Sequence, residues 1–355
     1  MKSWSNVVLG NTINVYSLSL ELQNMSVVAH TSVNYVSIND DERAVELSDA
    51  IPRLETADQP LRIAPVRVQL RDIVLTGKIL GCGAYSAAFP CTVWNRVDCV
   101  VKLPYRNYLR PEGFPIPLSE VWIQKASSRS FLYGIYEKEL SISRRLLDPI
   151  GAPIAETTLT VEEARTLARA HRKMREHPGF HHVHRVLHVE LEFPFLLSER
   201  CDTTAAFLGF TQYYDPSTSS ERWRRVAHQS WLGFDYMVRG CGLVNTDLHT
   251  SNIYATAQGD NVYNYKLADY DQVRPVYGKW EQSSSVMSGF RKMLRYLFIL
   301  AGTEDRHQPF ASWLQWNRKQ IFKEQYHAFA AWAERGEKPE GFSDSWLDSD
   351  EEESP

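Results

Sequence analysis

The sequence predicts an α+β protein of two lobes, and the order of its patterns carries the prediction. Strand-like alternation occupies Val66 to Lys102, while helical spacing dominates from Glu221 to Val238 and again from Val286 to Leu300. Between those helices lies a short β-like stretch that is rich in Asp and Asn. With 355 residues, 43% hydrophobic and 23% charged, the chain has ample length for a buried core. That composition excludes a collagen, a wholly disordered chain and a disulfide-framework miniprotein.

Residues 1–70 are rich in Ser, Val and Asn, carry an acidic patch at Asp40 to Glu42, and end on Pro52, Pro60 and Pro65; they read as an N-terminal extension. Residues 71–202 form the first lobe and the segment leaving it. The strand-like pattern starts just before that boundary: Val68, Leu70, Ile73 and Leu75 precede a Gly-containing turn, followed by Ala87 to Phe89 and then Cys99-Val100-Val101-Lys102. Tyr136 to Leu147 has helical spacing, with Leu140, Ile142, Leu146 and Leu147 on its apolar side and Pro149 as its stop. A second helix opens on a capping box, Thr160 with Glu163, carries Leu167 and Met174 on one face, and ends at Pro178-Gly179. Val186 to Ser198 alternates and then runs apolar, which predicts one or two strands. Residues 203–342 make the helical second lobe, and 343–355 an acidic tail with six acids and no base, expected to be solvated and disordered.

The formal net charge is −4, and the acidic tail accounts for it, so the body presents no field that would attract nucleic acid. Five scattered cysteines without a C-x-x-C pair fit a reduced, intracellular chain. Asn11, Thr12, Asn14 and Ser17 break any apolar run near the start, which argues against a signal peptide. The most apolar segment, Met293 to Ala301, is short and contains Arg295, so no membrane span is expected. The expectation is a soluble protein of the cytoplasm or nucleus, with neither nucleic acid nor membrane as partner.

Two constellations carry chemistry. The first is Gly81-Cys82-Gly83-Ala84-Tyr85-Ser86, followed by Ala87 and Ala88, between apolar strands. Two glycines at i and i+2 permit a tight turn whose N–H groups approach a phosphate closely, although a bare G-x-G is also an ordinary hairpin. Fourteen residues after Ala88, Lys102 ends an apolar strand, where its ammonium suits a phosphate. The second constellation is Asp247-Leu248-His249-Thr250-Ser251-Asn252, with Asp269 seventeen residues further on at the end of another apolar strand. Asp and Asn favour turns and caps one at a time. Together, in this order and behind a Gly loop and a strand lysine, they supply the hard oxygens that Mg²⁺ takes alongside phosphate.

On these residues the chain resembles the protein-kinase superfamily over roughly residues 71 to 300. Gly81 and Gly83 match the phosphate-covering loop, Lys102 the strand lysine, Asp247 and Asn252 the catalytic loop, and Asp269 the aspartate of D-F-G. The resemblance implies transfer of the γ-phosphoryl of ATP, with Gly81 to Ser86 and Ala88 around the phosphates and Lys102 on the α/β-phosphates. It further implies Mg²⁺ on Asn252 and Asp269, Asp247 accepting or orienting the substrate hydroxyl, and a hinge at Leu196 to Cys201 where the backbone of Glu199 and Cys201 meets adenine. For the glutamate that pairs with Lys102, the choice is Glu139 in the Tyr136–Leu147 helix, ahead of Glu163 and then Glu120.

Departures narrow the resemblance. Ser86 stands at the third loop glycine, Asn245-Thr246 replace the His-Arg before the catalytic aspartate, His249 stands where protein kinases mostly have lysine, and Tyr270-Asp271 replace Phe-Gly. Without that arginine, switching through a phosphorylated activation loop is not expected. No Ala-Pro-Glu follows, and the stretch before the acidic tail is short for a full C-lobe. Such divergence is similar to that of serine/threonine kinases of large DNA viruses, including the herpesvirus family, and the small lobe is similar to small atypical kinases. A serine/threonine protein kinase is the leading implication. A small-molecule kinase of the aminoglycoside or choline type, or a nucleotide-binding pseudokinase, is the alternative.

The remaining features have plainer readings. His181, His182, His184 and His188 would alternate along a strand, with no carboxylate or thiol spaced for zinc. Arg222, Arg224 and Arg225 fit a solvated or substrate-facing surface, and Trp313, Trp316, Trp332 and Trp346 fit core packing on amphipathic helices.

Overall fold

Period-2 burial along Ser86–Val93 and Val97–Pro104 sets the architecture of the first half of the chain. The structure, a computed structural model, describes residues 18–21, 26–29, 35–38, 43–46, 55–56, 58, 61–63, 68–82, 86–95, 97–104, 113–121, 129–147, 157–190, 195–211, 216–259, 262–301 and 322–335. The fold is α+β, built of largely antiparallel sheets and helices. It divides into two compact units, residues 1–176 with 185–200, and residues 177–184 with 201–355. Among the described residues no helix is long and apolar enough to cross a membrane.

In the first unit, the stretch read as an extension contains four short strands, β1 (Leu18–Glu21), β2 (Ser26–Ala29), β3 (Tyr35–Ile38) and β4 (Arg43–Glu46), ordered β1-β2-β3-β4. Each is four residues long, too short for its alternation to stand out from the Ser- and Asn-rich background. The strands that follow are β5 (Leu61–Ile63), β6 (Ile73–Leu75), β7 (Gly81–Cys82), β8 (Ser86–Val93), β9 (Val97–Pro104), β10 (Ile116–Pro117), β11 (Thr157–Leu159), β12 (Val186–Glu190) and β13 (Phe195–Glu199). A seven-stranded sheet runs β10-β6-β8-β9-β13-β12 with β7 added on β8, and β5 pairs separately with β11.

One face of the seven-stranded sheet is apolar. Cys99, Val101 and Leu103 of β9 are buried there with Ile73, Phe89, Phe195 and Leu197. The alternate residue Lys102 faces the other way. A one-turn helix, α1 (Leu118–Val121), precedes the long helix α2 (Arg129–Leu147). The buried stripe of α2 is Tyr136, Glu139, Leu140, Ser143, Leu146 and Leu147, spaced by threes and fours as a core-facing helix requires. Ile142, expected on that side, is only half-buried. Ser143 takes the place instead, its Oγ accepting the Val186 N–H at 2.8 Å. Helix α3 (Val161–Arg175) opens on the expected capping box: Glu163 N–H donates to Thr160 Oγ1 at 3.2 Å, and Thr160 N–H donates to Glu163 Oε2 at 2.8 Å.

The second unit begins with a 3₁₀ turn, Pro178–His182, so His181 and His182 do not alternate along a strand as the sequence predicted; His188 alone of the four lies in a strand, β12. The turn is pressed on the next long helix, since a Cβ at Gly179 would lie 2.0 Å from Leu232 O. That close approach explains why Pro178-Gly179 is more than a helix stop. The helices here are α4 (Ala205–Thr211), α5 (Pro216–Asp235), α6 (Ser284–Ala301) and α7 (Phe322–Arg335), and α5 runs on into a π-helical turn over Tyr236–Gly240. The strands are β14 (Thr203–Thr204), β15 (Leu243–Asn245), β16 (Ile253–Gly259), β17 (Val262–Leu267) and β18 (Val273–Pro275), paired β14-β16-β17 and β15-β18.

Phe234, Phe290 and Tyr326 bring α5, α6 and α7 together with ring centroids 5.1 to 6.3 Å apart. The buried Asp235 carboxylate accepts from Tyr326 Oη at 2.8 Å and Arg239 Nη1 at 3.2 Å, which satisfies its charge. Trp332 is buried, as core packing predicted, whereas Trp313, Trp316, Trp346 and the acidic tail lie outside the described residues. Arg222, Arg224 and Arg225 are half-buried on α5 rather than fully solvated.

His188 gives the fold a pH signature. It is buried beside Phe195, ring centroids 5.6 Å apart, and its Nε2 has no hydrogen-bond partner. Burial, reinforced by the nearby Arg144 charge, lowers its pKa to about 3. The native imidazole therefore stays neutral while the unfolded one gains a proton below about pH 6.5. Protonation of His188 costs nothing above that value, and stability is lost as pH falls from there toward 3. His188→Leu is expected to leave the urea midpoint at pH 7.5 unchanged or slightly raised, and to shrink the drop between pH 7.5 and 5. A drop as large as wild type would remove His188 from this role.

Candidate active site

The residues predicted to carry chemistry fall into two sets, one within each unit. In the first, strand register lines up Gly81, Ala88, Lys102 and Leu196 as direct partners on β7, β8, β9 and β13. At the usual strand spacing, Gly81 lies roughly 10 Å from the Lys102 backbone across the sheet. Gly81 and Cys82 are exposed, and a Cβ at Gly81 would meet nothing within 4 Å. The strand itself does not demand glycine there, and the backbone is left bare. Ser86 opens β8 opposite Pro104, while Gly83, Ala84 and Tyr85 lie outside the described residues.

Lys102 Nζ meets the Glu139 carboxylate at 3.3 and 3.5 Å, with side-chain exposures of 12% and 5%. Of the three glutamates that the sequence offers, Glu163 is committed to its capping box and Glu120 is exposed on α1. One turn before Glu139, Tyr136 places a buried hydroxyl; burial pushes its pKa well up, so the phenol stays protonated. At the end of β13 the Glu199 N–H donates to Arg185 O at 3.0 Å, and the Arg185 N–H returns to Glu199 Oε1 at 2.7 Å. Cys201, buried, begins the second unit.

In the second unit, the decisive residue is Asn245, which in the sequence stands out only as a departure from the kinase pattern. It is fully buried at the end of β15. Its Oδ1 accepts the Asp247 N–H at 2.8 Å, and its Nδ2 donates to Asp269 O at 2.9 Å and toward Ala268 O at 3.4 Å. Asn252 closes the opposite side: its Nδ2 donates to Asp247 O at 3.0 Å, and its carbonyl accepts the Ala268 N–H at 2.9 Å, one step beyond the Ile253–Leu267 pair of β16 and β17. Asp247, Asn252 and Asp269 are thereby tied into one hydrogen-bonded knot of backbone.

Asp269 has φ +60, a left-handed conformation that is unfavourable for a residue with a Cβ and is held here by the Asn245 donation to its carbonyl. Tyr270 is buried beside it, Oη 2.6 Å from His184 O and 2.9 Å from Leu267 O. Around the Asp247 carboxylate, Lys292 Nζ of α6 donates to Oδ1, and His249 Nε2 lies 3.8 Å from Oδ2. Lys292 had no signal in the sequence, because 45 positions separate it from its partner.

Among the described residues, no group of three His, Cys, Asp or Glu side chains stands ready to hold a metal ion. The donors nearest to that role are the Asp269 carboxylate, to which no described residue donates, and Asn252 Oδ1, left over once Nδ2 is committed to Asp247 O. One carboxylate and one amide oxygen suit a hard cation that takes the rest of its shell from phosphate and water.

Asn245→Ala is expected to leave the Asp247 N–H and the Asp269 carbonyl without partners and to lower the urea-unfolding free energy by about 2 kcal/mol. A loss below about 0.5 kcal/mol would show that water or another group satisfies both atoms. Compared with protein-family models and with curated proteins, the chain matches none.

Proposed function

We propose that this chain is an ATP-dependent phosphotransferase that moves the γ-phosphoryl of ATP to serine or threonine hydroxyls of a protein. In this reading the first unit is the β-rich N-lobe of a protein-kinase-like fold and the second a shortened helical C-lobe, akin to the serine/threonine kinases of large DNA viruses. The observation that carries it is the Lys102–Glu139 ion pair, buried on the sheet row that contains Gly81 and Ala88. Hydrophobic residues of similar volume commonly serve stability as well as a buried ion pair does, so stability alone gives little reason for a lysine there. A fixed ammonium on the same sheet row as the bare, exposed backbone of Gly81 has a use in gripping phosphates.

The residues then take these parts. Lys102, steadied by Glu139, holds the α/β-phosphates, and the backbone from Gly81 to Ser86 and at Ala88 covers them. The backbone of Glu199 and Cys201 meets the adenine. Asn252 Oδ1 and the Asp269 carboxylate hold Mg²⁺, which when bound neutralises charge on the phosphates. Asp247 takes the proton of the attacking hydroxyl as its oxygen bonds to phosphorus and the bond to ADP breaks. Positioning and charge neutralisation supply most of such catalysis, which agrees with a site that has no nucleophile of its own.

A second reading, a kinase of small molecules, draws on His249 beside Asp247, at a position where protein kinases mostly have lysine. Labelled γ-phosphate from Mg-ATP separates the two. Transfer to the protein itself or to a generic protein acceptor, reduced about 10²-fold or more by Asp247→Asn, is the expected result. Lys102→Met is expected to lower transfer by weakening the productive ATP geometry, and Asp269→Ala to lower it by removing the main protein ligand of Mg²⁺. Transfer that appears only when a metabolite is supplied would favour the second reading. Nucleotide-dependent thermal stabilisation without any turnover would make the chain a pseudokinase.

A further inference from the structure

We infer that Lys292 is the positioning residue of the Asp247 carboxylate, delivered by a face of α6 that is matched to the 245–249 loop one residue at a time. The inference rests on the phosphotransferase reading above. Three contacts fall in register. At Gly289 a Cβ would lie 2.6 Å from Asn245 O, so α6 approaches the end of β15 as closely as backbone allows. Lys292 Nζ donates to Asp247 Oδ1. The Tyr296 ring meets His249 edge-on, with centroids 5.8 Å apart at 61°. Gly289, Lys292 and Tyr296 are spaced by three and four, hence on one helix face. Their partners Asn245, Asp247 and His249 are spaced by two.

The consequence for Asp247 is that little of it is left to move. Its N–H is held by Asn245, its carbonyl by Asn252 and its Oδ1 by Lys292. Oδ2, with His249 Nε2 at 3.8 Å, is the atom that remains for the substrate. As the hydroxyl O–H breaks, its proton passes to Oδ2, its oxygen bonds to the γ-phosphorus, and the bond from that phosphorus to the bridging oxygen breaks to release ADP. The ammonium on Oδ1 fixes the carboxylate rotamer throughout. Lys292 and Asp247 are each about one-third exposed, at 35% and 32%, so the pair adds little to folding stability and its effect falls on orientation.

The test is steady-state kinetics on the full chain with Lys292→Met and Lys292→Arg, beside thermal unfolding. Lys292→Met is expected to lower kcat about 10- to 100-fold, as misplacement of a reacting group does, with the KM for ATP changed less than about threefold and the thermal midpoint kept. Lys292→Arg should recover most of kcat, because a guanidinium still grips Oδ1. Wild-type or raised kcat in Lys292→Met would overturn the inference, the pair then being idle or a block on Asp247. So would a loss that follows a lowered thermal midpoint and is not rescued by arginine. A wild-type chain without Asp247-dependent turnover ends the phosphotransferase reading and this inference together, whereas an active wild type with an indifferent Lys292→Met ends this one alone.

Discussion

The second unit is organised around the side-chain amide of Asn245. A buried amide must spend its donors and its acceptor inside the protein, and here they go to the backbone of Asp247 and Asp269, the two acidic residues of the candidate site. A side-chain amide offers a donor and an acceptor on opposite prongs of one plane without a charge or a titration. Asn245 can therefore hold the Asp247 N–H and the Asp269 carbonyl at once, independent of pH. The left-handed backbone of Asp269 depends on this clasp, and the clasp depends on the β15–β18 pairing that seats Asn245 opposite Val273.

The first unit solves a different problem. Its sheet needs one apolar face for its core, and period 2 then sends Lys102 to the other face, under α2. A lysine placed there requires a counter-charge on the covering helix. Glu139 supplies it from within a stripe otherwise made of Tyr136, Leu140, Ser143, Leu146 and Leu147. Ser143, one turn further along the stripe, adds a hydrogen bond to the β12 backbone that pins the helix along its axis. The ammonium is thus held by the packing of a whole helix rather than by one mobile side chain.

Much of this is legible in the amino-acid sequence, for local reasons. The Thr160–Glu163 capping box, the alternation of β8 and β9, and the isolated charge on the α2 stripe are all determined within a few residues of one another. What escapes is non-local or weakly periodic. The strands β1 to β4 are too short for alternation to accumulate. His181 and His182 read as strand residues because histidines recur there, while the packing of Gly179 on Leu232 holds them in the Pro178–His182 turn. Asn245 looks like a lost histidine until both ends of its amide are traced. Lys292 and Tyr296 lie on an ordinary amphipathic helix, and only the fold brings them to Asp247 and His249.

The match between α6 and the 245–249 loop also governs which changes of length the chain tolerates. A helix turns about 100° per residue, so one residue inserted between Gly289 and Lys292 would carry the lysine to another side of α6 while leaving composition and helix propensity almost untouched. A residue inserted in the exposed stretch around Tyr277 to Lys279 has no such lever, because that segment only links β18 to the next helical turn. Divergent copies of this sequence should therefore vary in length before Trp280 and hold the three- and four-residue steps of Gly289, Lys292 and Tyr296 fixed, a pattern of indels rather than of substitutions.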